Sequence, residues 1–185
     1  MHILILPSWY AKPGKETSGS FFRDQAIALA ETGHKVGLIF PDLHFSGSPF
    51  DYFGVSKSTQ VYTDHGVQVY TSRTSYWKRG RSLVYSKRFV AQGVRLFDNY
   101  IRDHGLPDLI HVHSTLYAGV LALQIKQLYQ VPYLVTEHSS AFARSRIRKN
   151  KRCLVSRVIE HAEALYAVSQ PFADLLSQLF PGSPS

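Results

Sequence analysis

The sequence predicts an α/β protein built on a doubly wound, mostly parallel sheet, and three observations carry that expectation. Apolar runs of strand length alternate with segments of helical period along most of the chain, the pattern of parallel strands joined by crossover helices. The first run, residues 2–6, is apolar almost throughout and is closed by Pro7, as a central strand covered on both faces requires. Two later runs, Asp108-Leu-Ile-His-Val-His113 and Tyr133-Leu-Val-Thr-Glu-His138, each end in histidine and flank a helical segment over 116–129. Strand, helix and strand in that order force a parallel pair. Ligands of open parallel sheets bind outside the carboxyl ends of the strands, so His113 and His138 are expected at one rim.

The remaining elements follow in chain order. A long loop rich in Pro, Gly, Lys and Ser leaves the first strand. A helix then begins near Ser18-Gly19-Ser20, with Phe22, Ala26, Leu29 and Ala30 on one face, Asp24 early, and Gly33 as its C-terminal stop. Residues 34–40 read as the second strand and 41–53 as a loop. Residues 60–63 and 67–71 read as a hairpin inserted into the sheet, turning at Asp64-His65-Gly66. The longest helix covers 83–103, with Val90, Val94, Phe97 and Ile101 on one stripe and Gly105 and Pro107 closing it. After the two histidine-ended strands, 139–151 is polar and basic, 153–162 is helical, and 164–168 is a short strand. Ser169 offers an N-cap, with Pro171 in the first turn of a last helix that carries Phe172, Leu175, Leu176 and Leu179. One domain over 1–180 and a linker-like tail over 181–185 are expected.

Composition narrows the function classes. A chain of 185 residues can enclose a proper core. No apolar run reaches the ~20 residues of a membrane span, and the first residues lack the basic start and apolar length of a signal peptide. The single cysteine, Cys153, rules out an internal disulfide or a CxxC metal knuckle. The expected compartment is the cytoplasm. The net charge of +8 points to an anionic partner. Its excess lies in two clusters, one with Arg79 and Arg81 beside Trp77, the other with Arg144, Arg146, Arg148, Lys149, Lys151 and Arg152. Each cluster reads either as a solvated surface or as a contact for phosphate or an anionic bilayer, where a basic side chain gains roughly 1 kcal/mol. No nucleic-acid-binding module pattern is present, so no nucleic-acid partner is expected.

Among the candidate site residues, Gly19 at a helix start can let a phosphate or sugar hydroxyl approach backbone N–H groups, or can simply serve a tight turn. His111 and His113 share a strand face. With His138 they make a set that zinc can take, but neither cysteine nor helical HExxH spacing accompanies them, so no metal is expected. His111 reads as a packed, satisfied core histidine. His113, at the strand end, reads as a site residue. His138 can donate to a ligand hydroxyl or carry a proton near neutral pH. Glu137 reads either as pointing to the opposite face of the strand or as a core carboxylate paired with a basic residue. The absence of GxSxG argues against a hydrolase, and the absence of GxGxxG after the first strand argues against a nicotinamide-dependent reductase.

Pro7-Ser-Trp-Tyr10, Ser18-Gly-Ser-Phe-Phe-Arg-Asp-Gln25, Gly33-His-Lys-Val36, Asp108-Leu-Ile-His-Val-His113, Val135-Thr-Glu-His138 and Ala167-Val-Ser169, in that order, resemble the N-terminal domain of glycosyltransferase family 4. The resemblance implies the GT-B architecture of two Rossmann-like domains and retaining transfer of a sugar from a nucleotide-sugar donor, without a bound metal or other cofactor. It implies that Gly19 lies near the donor phosphate and acceptor, that His138 contacts the donor sugar, that His113 lines the acceptor side, and that Ser169 reaches the cleft. The usual Gly-Gly is Ser18-Gly19 here, and the residue after the key histidine, often Asp, is Ser139. The chain ends before the strand and Asn-Gly turn that lead into a second domain. The expectation is therefore the acceptor-side half of a longer enzyme, inactive alone. Its acceptor would be a glycan or lipid-linked chain, in cell-surface polysaccharide or glycolipid synthesis, with a peripheral position at the inner face of the cytoplasmic membrane. The alternative is a non-catalytic carbohydrate- or nucleotide-binding module.

Overall fold

A computed structural model describes residues 1–10, 19–45, 59–76, 82–138, 142 and 149–184. Its strands are β1 (His2–Pro7), β2 (Lys35–Phe45), β3 (Thr59–Asp64), β4 (Val67–Tyr76), β5 (Leu109–His113), β6 (Tyr133–Glu137) and β7 (Leu165–Ala167). Its helices are α1 (Ser20–Glu31), α2 (Ser82–His104), α3 (Val120–Tyr129), α4 (Lys149–Glu160) and α5 (Gln170–Leu179). The strands form one sheet in the order β3-β4-β2-β1-β5-β6-β7. Every pairing is parallel except β3 with β4, the expected hairpin at the edge. His65 and Gly66 both adopt positive φ, 47° and 85°, as a two-residue hairpin turn whose twist matches its strands demands.

β1 occupies the centre because Ile3, Leu4, Ile5 and Leu6 can be covered on both faces, and all four are buried. One core surrounds the sheet. A smaller one, of Phe142, Val155, Ile159, Leu176 and Phe180, joins the C-terminal helices to the edge at β7. α1 buries Phe22 and Ala26, as its spacing predicts, while Asp24 falls just beyond the first turn.

Three local expectations change. β2 does not stop at Phe40 but runs through Pro41 to Phe45. β1 pairs with β2 only as far as Leu38, and beyond that β4 is the recorded partner. A proline is tolerated where one side of a strand needs no N–H. In α2, Phe97 is buried as predicted, but Phe89, Leu96 and Tyr100 take the other inner positions, while Val90, Val94 and Ile101 are only partly covered. Large rings win the inner face: Tyr100 meets Tyr70 edge-on at 5.3 Å, and Phe89 meets Phe40 at 6.5 Å. Lastly, the crossover helix begins at Val120, not Leu116. Thr115–Gly119 forms a π-type turn broken by Leu116 (φ −74°, ψ 138°) and Tyr117 (φ 66°, ψ −70°).

Candidate functional site

The site grows from strand ends on one edge. β1 lies mid-sheet, with β2 on one side and β5 on the other, so the connections leaving β1 and β5 part at a switch point. The ladder there continues past the strands: Ser8 N–H donates to His113 O at 3.2 Å, and Ser114 N–H to Thr136 O at 2.9 Å.

After β1 the chain must return to cover the sheet. Gly19 makes the entry into α1 with φ 80°, a conformation costly for any residue with a Cβ. A Cβ there would also lie 3.1 Å from the Trp9 carbonyl oxygen and 3.1 Å from the Phe22 ring. The turn therefore needs glycine on structural grounds, and the same geometry brings the first turn of α1 to the crevice. Phe21 and Phe22, in that turn, stand 5.0 and 5.3 Å from the His138 ring, centroid to centroid.

His138 follows the last residue of β6 and is half-buried. Burial holds its pKa below the usual 6.5. Its Nε2 lies 3.0 Å from Nδ1 of His113. His113 has no exposed surface and is enclosed by Phe22, with ring centroids at 4.4 Å, and by His111 at 4.3 Å. Burial, reinforced by the two neighbouring imidazoles, pushes its pKa down to about 2. His111 bonds Thr136 Oγ1 through Nε2 at 2.8 Å and is pushed down to about 4, again chiefly by burial. His111 is thus satisfied, as expected, while His113 is the more completely enclosed of the two, because its ring lies beneath the first turn of α1. Its link to the strand-end rim runs through His138.

Two residues that the sequence reading did not assign to the site hold this edge together. The Glu137 carboxylate is fully buried. It accepts from Thr115 N–H and Thr115 Oγ, both at 2.7 Å, and from His138 N–H at 3.0 Å. It thereby ties the end of β6 to the turn after β5. Ser8 donates its hydroxyl to the Leu116 carbonyl and accepts from Ala118 N–H at 3.2 Å, stabilising the broken turn from inside. The visible signals were a small polar residue directly after an apolar strand and a carboxylate one position before a strand-end histidine.

The other predicted site residues are distributed less tightly. Ser169 sits beyond β7 as the N-cap of α5, with Pro171 in the first turn as expected. It is exposed, and its hydroxyl makes no capping bond. Lys151 extends over the Tyr117 ring, 5.6 Å from Nζ to the centroid, and Arg152 is exposed. Ser18, Arg79, Arg81, Arg144, Arg146 and Arg148 lie outside the described residues, and Lys149 is described only as the first residue of α4. Among the described residues no three His, Cys, Asp or Glu side chains are grouped to hold a metal ion. The three histidines instead direct nitrogens at one another and at Thr136.

A doubly wound sheet with polar strand ends at its switch point defines an α/β domain of Rossmann-like type. The sequence matches the family model described as a glycosyl transferase 4-like domain over residues 17–184, and the chain belongs to that family. The resemblance read from the sequence motifs therefore holds. The fold is similar to that of Arabidopsis thaliana UGT89C1, solved in complex with UDP, with a TM-score of 0.58 at 10% identity over 99% of this chain and 50% of that one. It is also similar to the N-terminal domain of Candida albicans trehalose-6-phosphate phosphatase, with a TM-score of 0.51 at 15% identity over 96% of this chain and 42% of that one. The chain thus spans half or less of the length of these two structures. No curated protein matches the sequence. Among the described residues no helix is long and apolar enough to cross a membrane.

Proposed function

We propose that this chain is the acceptor-side domain of a retaining glycosyltransferase that moves a sugar from a nucleotide-sugar donor to a glycan or lipid-linked acceptor. The observation that carries this reading is the approach of the α1 amino end to His138 at the carboxyl edge of the sheet. A helix start favours phosphate, and an imidazole beside it can donate to a sugar hydroxyl. Gly19 and Ser18 then border the donor phosphate and acceptor, His138 contacts the donor sugar, and Ser169 borders the cleft. The nucleotide sugar enters as substrate, with no metal or other cofactor.

Replacing His138 with Ala in the full-length enzyme tests this reading. Turnover should drop by about a hundredfold or more with the correct donor, the scale of losing one positioned donor at a reacting centre. Turnover equal to wild type with every nucleotide sugar that supports transfer would remove His138 from the chemistry. The 185 residues alone should transfer nothing.

The acceptor belongs to cell-surface polysaccharide or glycolipid synthesis at the inner face of the cytoplasmic membrane. The net charge of +8 and the basic clusters support that placement. Pelleting with anionic and with neutral vesicles tests it. Equal, negligible binding to both would refute it.

A further inference from the structure

We infer that His113 is a positioning residue: it donates its Nδ1–H to Nε2 of His138, so that His138 keeps its own proton on Nδ1. In this arrangement His138 offers the crevice a hydrogen-bond donor. The use of that donor on a sugar rests on the function proposed above, whereas the direction of the His113–His138 bond does not.

The argument starts from the 3.0 Å separation of His113 Nδ1 and His138 Nε2. A hydrogen bond between two imidazoles needs one N–H and one bare nitrogen. Burial lowers the proton affinity of each ring below the usual 6.5, so both are mainly neutral at pH 7. Only two arrangements remain, and they fix both rings at once. Either both carry the proton on Nδ1, or both carry it on Nε2.

Burial separates the two. His113 Nε2 is enclosed and has no hydrogen-bond partner among the described residues. If His138 were the donor, His113 would carry its proton on that enclosed nitrogen, leaving an orphaned N–H. If His113 is the donor, the enclosed nitrogen is bare. Either way that nitrogen lacks a partner, and a genuinely orphaned buried N–H is the form that folded proteins rarely keep, so the second arrangement is favoured. Among the described residues no hydrogen bond reverses this. His111 directs Nε2 at Thr136, Phe22 offers only its ring, and the Glu137 carboxylate accepts from Thr115 and from the His138 backbone. The assignment also decides what the other His138 nitrogen can do, because a bare Nδ1 accepts from a hydroxyl where Nδ1–H donates to one.

Long-range nitrogen–proton spectra of the imidazole rings test the inference directly, on the 15N-labelled chain of 185 residues at pH 7, with His138→Gln and His113→Asn variants for assignment. The expected result is an Nδ1–H form for both His113 and His138. An Nε2–H form on either ring, or an even mixture, overturns it. Positioning is read from His113→Leu, with folding confirmed by circular dichroism. His138 should lose its preference for Nδ1–H, and His113→Asn, whose amide nitrogen replaces Nδ1, should restore it. A His138 that keeps Nδ1–H in folded His113→Leu overturns the positioning role.

In the full-length enzyme, His113→Leu should lower kcat by about ten- to a hundredfold, the scale on which metal-bound histidines respond to loss of their orienting partner. Donor KM should change little, and His113→Asn should recover most of the rate. Complete absence of sugar transfer in the wild-type enzyme would refute the proposed function, while the ring spectra would still decide the pairing.

Discussion

Replacing Glu137 with Gln is the most informative single change at the strand ends, because it alters charge and hydrogen bonding without opening a cavity. The carboxylate's bonds include two from Thr115 on one oxygen and one from His138 N–H on the other. A glutamine can keep its oxygen toward Thr115, but its amide NH2 then faces the His138 N–H, donor against donor. A hydrogen bond to a charged group is worth about 1.5–3 kcal/mol, and that one is lost. The two retained bonds become neutral ones, roughly half as strong. Neutralising the side chain also relieves part of the cost of burying a charge. The net destabilisation should be about 2–3 kcal/mol, read from urea unfolding at pH 7 as a lowered midpoint with an unchanged slope. Thr115→Val should account for part of it, and the double variant should be less destabilised than the sum of the two singles. Stability within about 0.5 kcal/mol of wild type for Glu137→Gln would refute the reasoning, since the carboxylate would then not be what joins β6 to the turn after β5.

Other outcomes follow from the same structure. Gly37→Ala would place a Cβ 2.3 Å from the hydroxyl of the fully buried Tyr100, which also bonds His2 at 2.5 Å; a loss of about 2–3 kcal/mol is expected in urea unfolding. His111 and His113 have folded pKa values of about 4 and about 2, both below 6.5. The unfolded chain therefore binds more protons below pH 6.5, and stability should fall as pH drops from about 6.5 towards 4, by up to about 1.4 kcal/mol per pH unit per histidine; His111→Gln should flatten that slope. Arg23 pairs with Asp64 through two bonds, at 2.5 and 2.7 Å, fastening α1 to the hairpin. Asp64→Ala should cost about 0.5–1 kcal/mol, less in high salt, because the arginine is partly exposed.

The parts of the fold legible from sequence were those that local chemistry determines. The apolar runs, the His65-Gly66 turn, the glycine after α1 and the Ser169-Pro171 helix start each carry their conformation in adjacent residues. What stayed hidden depended on partners distant in sequence. Pro41 looked like the end of β2 because nothing nearby shows that β1 has already stopped pairing. Val90 and Val94 looked like the inner stripe of α2 because periodicity cannot tell which of two adjacent faces the large rings will claim. The break at Leu116 and Tyr117 depends on the Ser8 hydroxyl, 108 residues earlier in the chain. At the site, the two strand-end histidines could be placed on one rim, but their order of burial could not, since it depends on where Phe22 lands when α1 folds back.

The central position of β1 bears on how the chain is made. β1 leaves the ribosome before β5, and His2 meets Asp108 only after 106 further positions have been added. At synthesis rates of about 5–20 residues per second, that is a delay of roughly 5–20 s. Throughout it, a segment of consecutive greasy side chains has at most one flank occupied, by β2, and the other open to any passing strand. The nascent polypeptide is thus most vulnerable to mispairing along β1, and a chaperone that shields β1 should raise the yield of native protein more than one acting on α4 and α5.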